Sequence, residues 1–531
     1  MSKQIINQTQ NEQTILKKFV DSLDRWLTSE DIGINIYGCV ECNQCGEACA
    51  WYIETGEEKM HPKVRADFIR KVWKRYKTPM GKILGKLGII DSPNVEDLRE
   101  NMYIYWQCTL CGRCTLACPM NISNRSLYRA MRAAYTESGL SYENPTIKSI
   151  IESTEKVRHS FGLSRDYVFA RPGLFLGYEG VEVPVDVKGA EYMFVCPSAG
   201  NTKIPELGIK LIKILNVAQI NYTISSKVTD TGTEIDHIAV HHELSKVMLE
   251  EWESAAEELG AKFVVVAECG CDVRTMYIEA EKTLGRPFKF PIISIDTIME
   301  QAIDEGKLPV EPIDESITFH DPCYVVRLSG RGEEYRRFLT KIVKDFREMT
   351  PNREYNYCCN GGAGGMRLPE NTEKRRKISR LKAEQIKNTG ANLVTTPCAV
   401  CYLNLKDTTE VYGLATSDNR KARMLFEIVY DAMMKALKNR NEEYRVKIPY
   451  VFKTMSKEKQ IKHSLSGFME QLIQSEQFPE LLKKLKDDPN VHAYAKENPD
   501  FWEYFNKIEK EIMSIHNYLT YGLKIGHWVE V

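Results

Sequence analysis

Apolar residues first recur at helical spacing near the N-terminus. Ile15, Leu16, Phe19, Val20, Leu23, Trp26 and Leu27 share one stripe of a helix over residues 14–28. This predicts a packing or docking helix within an N-terminal segment, 1–36. Residues 37–150 alternate two cysteine groups with a charged stretch rich in helix formers. The period then changes. Residues 190–300 and 315–415 look like two rough copies of one unit. Each opens on a short strand, Tyr192–Val195 or Ile317–His320. Each runs through amphipathic helical stretches to a second apolar strand, Phe263–Ala267 or Leu393–Thr396. Strands alternating with helices predict small α/β half-domains with parallel sheets. Overlaying the later strands pairs Phe263 with Leu393 and Cys271 with Cys401, so an internal repeat is expected. Residues 420–531 lack cysteine and read as a helical tail, with Trp502, Tyr504 and Phe505 as apolar anchors. The expected fold class is α+β: a helical, ferredoxin-like two-cluster domain, duplicated α/β half-domains and a helical extension.

Composition narrows the function. The 531 residues are 43% hydrophobic and 27% charged, normal for a globular chain of several domains. Lys plus Arg, 72, nearly cancels Asp plus Glu, 73, which gives no electrostatic case for nucleic acid. The basic run Arg65–Lys77 reads as a solvated helix face, or else as a docking surface. No stretch approaches the ~18–20 apolar residues of a membrane span. The polar Met1–Gln13 lacks a signal core. The chain is expected in the cytoplasm, at the membrane only through another subunit.

The chain has 16 cysteines, and in a reducing compartment such density argues for metal over disulfides. Cys39, Cys42, Cys45 and Cys49 form one C-x2-C-x2-C-x3-C group; Cys108, Cys111, Cys114 and Cys118 form another, followed by Pro119. Three closely spaced thiolates suit one corner of a cubane [4Fe–4S] cluster. In two-cluster ferredoxins the fourth cysteine crosses to the other cluster. The expected ligand sets are thus Cys39, Cys42, Cys45 and Cys118, and Cys108, Cys111, Cys114 and Cys49. Zinc sites use pairs of C-x2-C, and neither group divides so.

A third set follows: Cys323, the adjacent pair Cys358 and Cys359, then Cys398 and Cys401. Adjacent cysteines suit a larger, irregular cluster, and the run Asn360–Gly365 would let backbone approach it closely. The first repeat is degenerate. Cys196 stands near the position of Cys323, Val228–Gly232 replaces the paired cysteines, and Glu268-Cys269-Gly270-Cys271 replaces Cys398–Cys401. It reads as a scaffold copy. The sharper alternative sets Cys269 or Cys271 facing the active cluster, as an extra ligand or a substrate-facing thiol. His320, three residues before Cys323, could protonate a departing thiolate, since imidazole titrates near neutrality; a hydrogen-bonded structural histidine is the plainer reading.

This third constellation resembles the cysteine-rich "CCG" domain of heterodisulfide reductases. The resemblance implies that Cys323, Cys358, Cys359, Cys398 and Cys401 hold a noncubane [4Fe–4S] cluster whose iron binds substrate sulfur. The order of two cubanes and a repeated CCG unit is similar to the catalytic subunit of membrane-linked heterodisulfide reductases. Thr78–Gly88, Tyr105–Ile122 and Glu268–Gly270 are closer to the DsrK-type subunit of sulfate reducers, although Cys271 stands where that type has histidine. This implies anaerobic respiration and sulfur metabolism at the inner face of the membrane. The implied partner is a haem-b, quinone-reactive subunit. The implied substrate is a disulfide or trisulfide, small or on a sulfur-carrier protein. The competing reading is an electron relay in a lactate- or glycolate-type dehydrogenase complex. Any flavin would lie on another chain, because no Gly-x-Gly-x-x-Gly follows a strand.

Overall fold

A computed structural model describes residues 2–29, 32–163, 184–195, 203–267, 269–415 and 421–440, with short helical pieces between 480 and 506. The N-terminal stripe packs inward. Helix α1 (Ser2–Thr28) buries Phe19, Val20, Leu23 and Leu27. It lies against the helix that follows the second cysteine group: the Phe19 and Tyr135 rings sit 4.9 Å apart, and the Trp26 indole donates to Glu137 at 3.0 Å. The charged stretch folds as α2 (Pro62–Lys77), α3 (Pro79–Lys86) and α4 (Val95–Trp106). Proline at the first turn starts α2 and α3, and an Asn94–Asp97 capping box starts α4. Helix α5 (Asn124–Ser138) follows, and a last helix, Pro145–Val157, closes this all-helical region.

The two expected repeats are two four-stranded parallel sheets of one topology. The first comprises β1 (Tyr192–Val195), α6 (Pro205–Val217), β2 (Tyr222–Ile224), α7 (His242–Leu259), β3 (Phe263–Val266), β4 (Ile292–Ser294) and α8 (Ile295–Asp304). Its strand order is β2-β1-β3-β4, with Tyr192 opposite Phe263. The second comprises β5 (Ile313–Phe319), α9 (Gly332–Ile342), β6 (Val343–Arg347), α10 (Arg380–Thr389), β7 (Leu393–Thr396), α11 (Ala399–Val411), β8 (Ala422–Met424) and α12 (Leu425–Asn439). Its order is β6-β5-β7-β8, with Ile317 opposite Leu393.

The second unit runs beyond the expected boundary at 415. The fourth strand, β8, and the apolar helix α12 complete it, and Leu425, Ile428, Val429 and Ala432 of α12 lie in the core shared by both sheets. Strand β5 also begins earlier than Ile317, because Ile313 pairs with Val343. The units join reciprocally. Tyr335 on α9 donates to Asp296 on α8 at 2.7 Å, and Lys210 on α6 meets Glu427 on α12 at 2.7 Å. Of the expected tail anchors, Trp502 and Phe505 pack ring to ring at 5.5 Å, and Tyr504 lies outside the described residues. No helix among the described residues is long and apolar enough to cross a membrane.

Candidate metal centres

Each cysteine motif of the helical region wraps a cavity. Cys39, Cys42 and Cys45 line one of them together with Cys118. Cys108, Cys111 and Cys114 line the other together with Cys49. The fourth cysteine of each group therefore reaches into the other group's cavity. The backbone makes the wrap: Glu41 and Asn43 in one loop, and Leu110 and Gly112 in the other, have φ of 58, 61, 52 and 74°. A left-handed non-glycine residue costs about 1–2 kcal/mol. Glu41 and Leu110, at matching positions of the two loops, carry that strain, and Gly112 takes freely the φ that Asn43 holds in the other. Leu110 N–H, for one, donates to Cys108 Sγ at 3.4 Å.

The walls are cationic. Arg65, Arg113 and Arg125 line the Cys49/Cys108/Cys111/Cys114 cavity, which has no carboxylate on its wall. Arg125 Nη1 is buried without a hydrogen-bond partner. Four sulfurs flanked by the buried Arg65 and the half-buried Arg113 and Arg125 fit an anionic iron–sulfur group. Lys63 and Arg70 line the other cavity together with the carboxylate of Glu41, which pairs with Lys63 at 3.6 Å. The run Arg65–Lys77 is thus only in part a solvated face: Arg65 and Arg70 are buried at the two cavities, where α2 packs between them.

The third set gathers at the carboxyl ends of β3, β5 and β7, where loops of parallel sheets converge. Its sulfurs form a chain of thiol contacts. Cys111 of the second cavity touches Cys358. Cys358 touches Cys323 and Cys359. Cys359 lies 3.3 Å from Cys401. Cys401 touches Cys398, and Cys398 touches Cys269, which meets Cys271. Cys269 and Cys271, the two described cysteines of the degenerate unit, are therefore in the same group as the five of the complete one. Cys196 and Glu268 lie outside the described residues.

Asn360 takes φ 74°, the conformation a glycine directly after the paired cysteines would adopt. Asparagine tolerates it better than most residues. Its N–H donates to Cys358 Sγ at 3.2 Å, and Gly361 N–H to Cys359 Sγ at 3.4 Å. A Cβ at Gly361 would meet Val400 O at 2.9 Å, so the next position must be glycine.

His320 is fully buried, and one ring nitrogen lies within 4.8 Å of the Cys359 and Cys401 sulfurs. Its Nε2 has no hydrogen-bond partner. Burial, reinforced by the nearby Lys382, pushes its pKa well below the usual imidazole range. That environment favours the neutral ring over the imidazolium. Behind it stands a residue that sequence reasoning missed. Lys382, on α10, is fully buried and donates to Asn356 Oδ1 at 2.6 Å and Gln385 Oε1 at 2.5 Å. Burial pushes its ammonium down to about 7, against the attraction of Asp321 and the cysteines. Asn356 Nδ2 lies 3.5 Å from His320 Nδ1, which links the two.

Two further arginines tie the centres together, and nothing local marks either. Arg327, four residues after Cys323, donates to the carbonyls of Cys111, Glu354 and Asn356, each at 2.6 Å. Arg132 donates to the carbonyls of Tyr105, Cys108, His237 and Ala363 at 2.6–3.2 Å, so one buried side chain joins the helical region to both α/β units.

Comparison with known proteins agrees with this geometry. The 4Fe-4S dicluster domain family matches residues 35–122, and the cysteine-rich domain family, CCG, matches 317–406. The chain is 28% identical over 412 residues to the Hdr-like menaquinol oxidoreductase iron-sulfur subunit 2 of Archaeoglobus fulgidus, covering 68% of this chain and 74% of that one. It is 26% identical over 395 residues to one subunit of the dihydromethanophenazine:CoB–CoM heterodisulfide reductase of Methanosarcina barkeri, covering 70% and 88%. It is 24% identical over 399 residues to one subunit of the fumarate reductase (CoM/CoB) of Methanothermobacter marburgensis, covering 74% and 72%. With two four-sulfur cavities, a third sulfur group and these relatives, the chain is an iron–sulfur electron-transfer subunit related to those of heterodisulfide reductase and the Hdr-like menaquinol oxidoreductases.

Proposed function

We propose that this chain is an oxidoreductase acting on sulfur groups, in which two cubane [4Fe–4S] sites serve a noncubane [4Fe–4S] site where a disulfide or trisulfide is reduced or formed. The cubane ligands are Cys39, Cys42, Cys45 and Cys118, and Cys108, Cys111, Cys114 and Cys49. The noncubane ligands are Cys323, Cys358, Cys359, Cys398 and Cys401. The observation that carries the reading is the sulfur contact between Cys111 and Cys358, which joins a four-cysteine cavity to the paired cysteines with no insulating layer between. The bound clusters supply one-electron steps.

Reducing a disulfide takes two electrons and two protons and yields two thiols. The chain's residues hold the ligands, exclude water and position protons. His320, neutral and with a free Nε2, is placed to hydrogen-bond a sulfur at Cys359 and Cys401. Lys382, reached through Asn356, places behind them a buried amine that exchanges its proton near neutrality. Cys269 and Cys271 bound the far side as substrate-facing thiols or extra ligands. The names of the relatives, with menaquinol in one, support a haem-b, quinone-reactive membrane partner and a place at the inner face of the membrane. The segments 78–88 and 105–122 favour the DsrK type, acting on a small disulfide or a sulfur-carrier protein.

A second reading is a relay without its own substrate. The burial of Cys358, Cys359, Cys398 and Cys401 favours it, as does a relative named for fumarate reductase. Cys359→Ser in anaerobically purified protein separates the two. The proposal expects disulfide or trisulfide turnover to vanish while a donor still reduces the cubanes. Undiminished turnover would move catalysis to another chain.

A further inference from the structure

Helix α3 is mounted with its apolar side outward. Thr78 caps it, accepting from Gly81 N–H at 3.0 Å, and Pro79 opens it. Gly81 and Gly85, one turn apart, share a face. A Cβ on Gly81 would come 2.0 Å from Lys74 O, and one on Gly85 1.9 Å from Arg75 Nε. Those two glycines are the seat on α2: at Gly81 a larger residue would meet backbone and move the helix, and at Gly85 it would displace the Arg75 guanidinium. The seat turns the large side chains out: Met80 is 63% exposed, Ile83 56%, Leu87 66% and Ile89 64%. Lys82 and Lys86 are exposed beside them, and residues 78–90 contain no acidic residue. The surface continues toward the first four-cysteine cavity. Lys74 Nζ lies 4.8 Å above the exposed Tyr37 ring, and the exposed Val40 and Met120 line that cavity.

We infer that this face rests on an anionic lipid bilayer. Aliphatic side chains flanked by lysines, on a rigidly seated short helix, match the chemistry of an interfacial membrane element. Lysine stems lie along apolar surface while their ammonium groups reach phosphates. Protein interfaces favour aromatic residues and arginine and are depleted in lysine, the reverse of residues 78–90. A symmetric contact between two copies would bring Lys82 and Lys86 toward their own equivalents, a like-charge contact that is disfavoured. The placement also puts the cavity of Cys42, the exposed cysteine among its four, on the membrane side of the chain. It stands whichever reaction the sulfur group performs.

The test is flotation of the full-length chain, purified anaerobically with its clusters intact, on phosphatidylcholine vesicles with and without phosphatidylglycerol. The expected result is about tenfold more protein on the anionic vesicles, falling as salt rises. The variants M80Q/I83Q/L87Q and K82E/K86E should each lose about that tenfold gain, with the visible absorption of the clusters unchanged. Equal flotation on neutral vesicles, or full binding by both variants, would overturn the inference. So would a concentration-dependent doubling of mass in light scattering that the apolar variant abolishes, since a second copy would then cover the face.

Discussion

The two α/β units share strand order, parallel pairing and register, yet only the second carries paired cysteines. The loops at the carboxyl ends of the strands account for the difference. In the second unit, Cys358 and Cys359 receive backbone N–H groups from Asn360 and Gly361. In the first, the corresponding Val228–Gly232 stretch is knotted around Asp230, whose carboxylate accepts from Ser160 N–H at 2.8 Å, Ser160 Oγ at 2.7 Å and Gly232 N–H at 2.8 Å. Without cysteines, this loop is held instead by hydrogen bonds to the Asp230 carboxylate, from within the loop and from Ser160. The first unit still sends Cys269 and Cys271 into the second unit's sulfur group. The sheet is a scaffold, and the loops decide what it carries.

The sharpest break of the comparison is substitution within the paired cysteines. Cys359→Ser should abolish S–S turnover and lower iron from about 12 to about 8 per chain, whereas Cys269→Ser in the degenerate unit should keep about 12. Equal iron loss in both variants would make the first unit a full ligand donor. Next, Cys118→Ala should remove the cluster of Cys39, Cys42 and Cys45 and spare that of Cys108, Cys111 and Cys114, leaving about 8 irons. Iron analysis with low-temperature EPR distinguishes the two clusters by relaxation and potential, and loss of the other cluster would show that each motif is self-contained.

Arg132 bonds to both units at once. Arg132→Met should lower the guanidinium unfolding midpoint by the equivalent of about 3–5 kcal/mol, since the four carbonyls it serves lose a buried charged donor. Arg132→Lys should recover little, because an ammonium lacks the planar fork. A change under about 1 kcal/mol would mean that the units hold together without it.

The smallest effect concerns the reciprocal joint. Glu427 faces Lys210, whereas the Asp296 carboxylate accepts from the Tyr335 hydroxyl, and burial raises its pKa to about 6 against the pull of that bond and of Arg331. An acid whose folded pKa lies above its unfolded value loses stability as pH rises through the interval between them, here about 4 to 6, with little change above it. Relative to Asp296→Asn, the native chain should therefore lose about 1 kcal/mol of stability between pH 5 and pH 7. A flat difference in parallel denaturant titrations would remove the asymmetry between the two joints.

Much of the gathering of cysteines was legible because metal ligation imposes spacing. The two motif groups, the third set and the strands that deliver it follow from local pattern. That Cys118 lines the cavity of Cys39 and Cys49 that of Cys108 agrees with the crossing expected from two-cluster ferredoxins, while ligation itself is the proposal. Lys382 was not. It lies in a run, Glu373–Lys387, that looks like a solvated charged helix, and only packing turns that one ammonium inward. Arg65 was hidden in the same way. The end of the second unit was missed because β8 has three residues, too few for a period to show.

Local pattern was enough for the cysteine spacings, the repeat and the parallel sheets, since each depends on contacts a few residues apart or on a periodicity of side chains. Long-range packing settles that Cys111 meets Cys358, that Cys269 and Cys271 join the second unit's sulfurs, that His320 is buried before Lys382, and that α3 faces outward. Each of those sets the direction or burial of a side chain against residues distant in sequence. Charge and hydropathy name what a residue prefers, but the packing of the whole chain decides which preference is met.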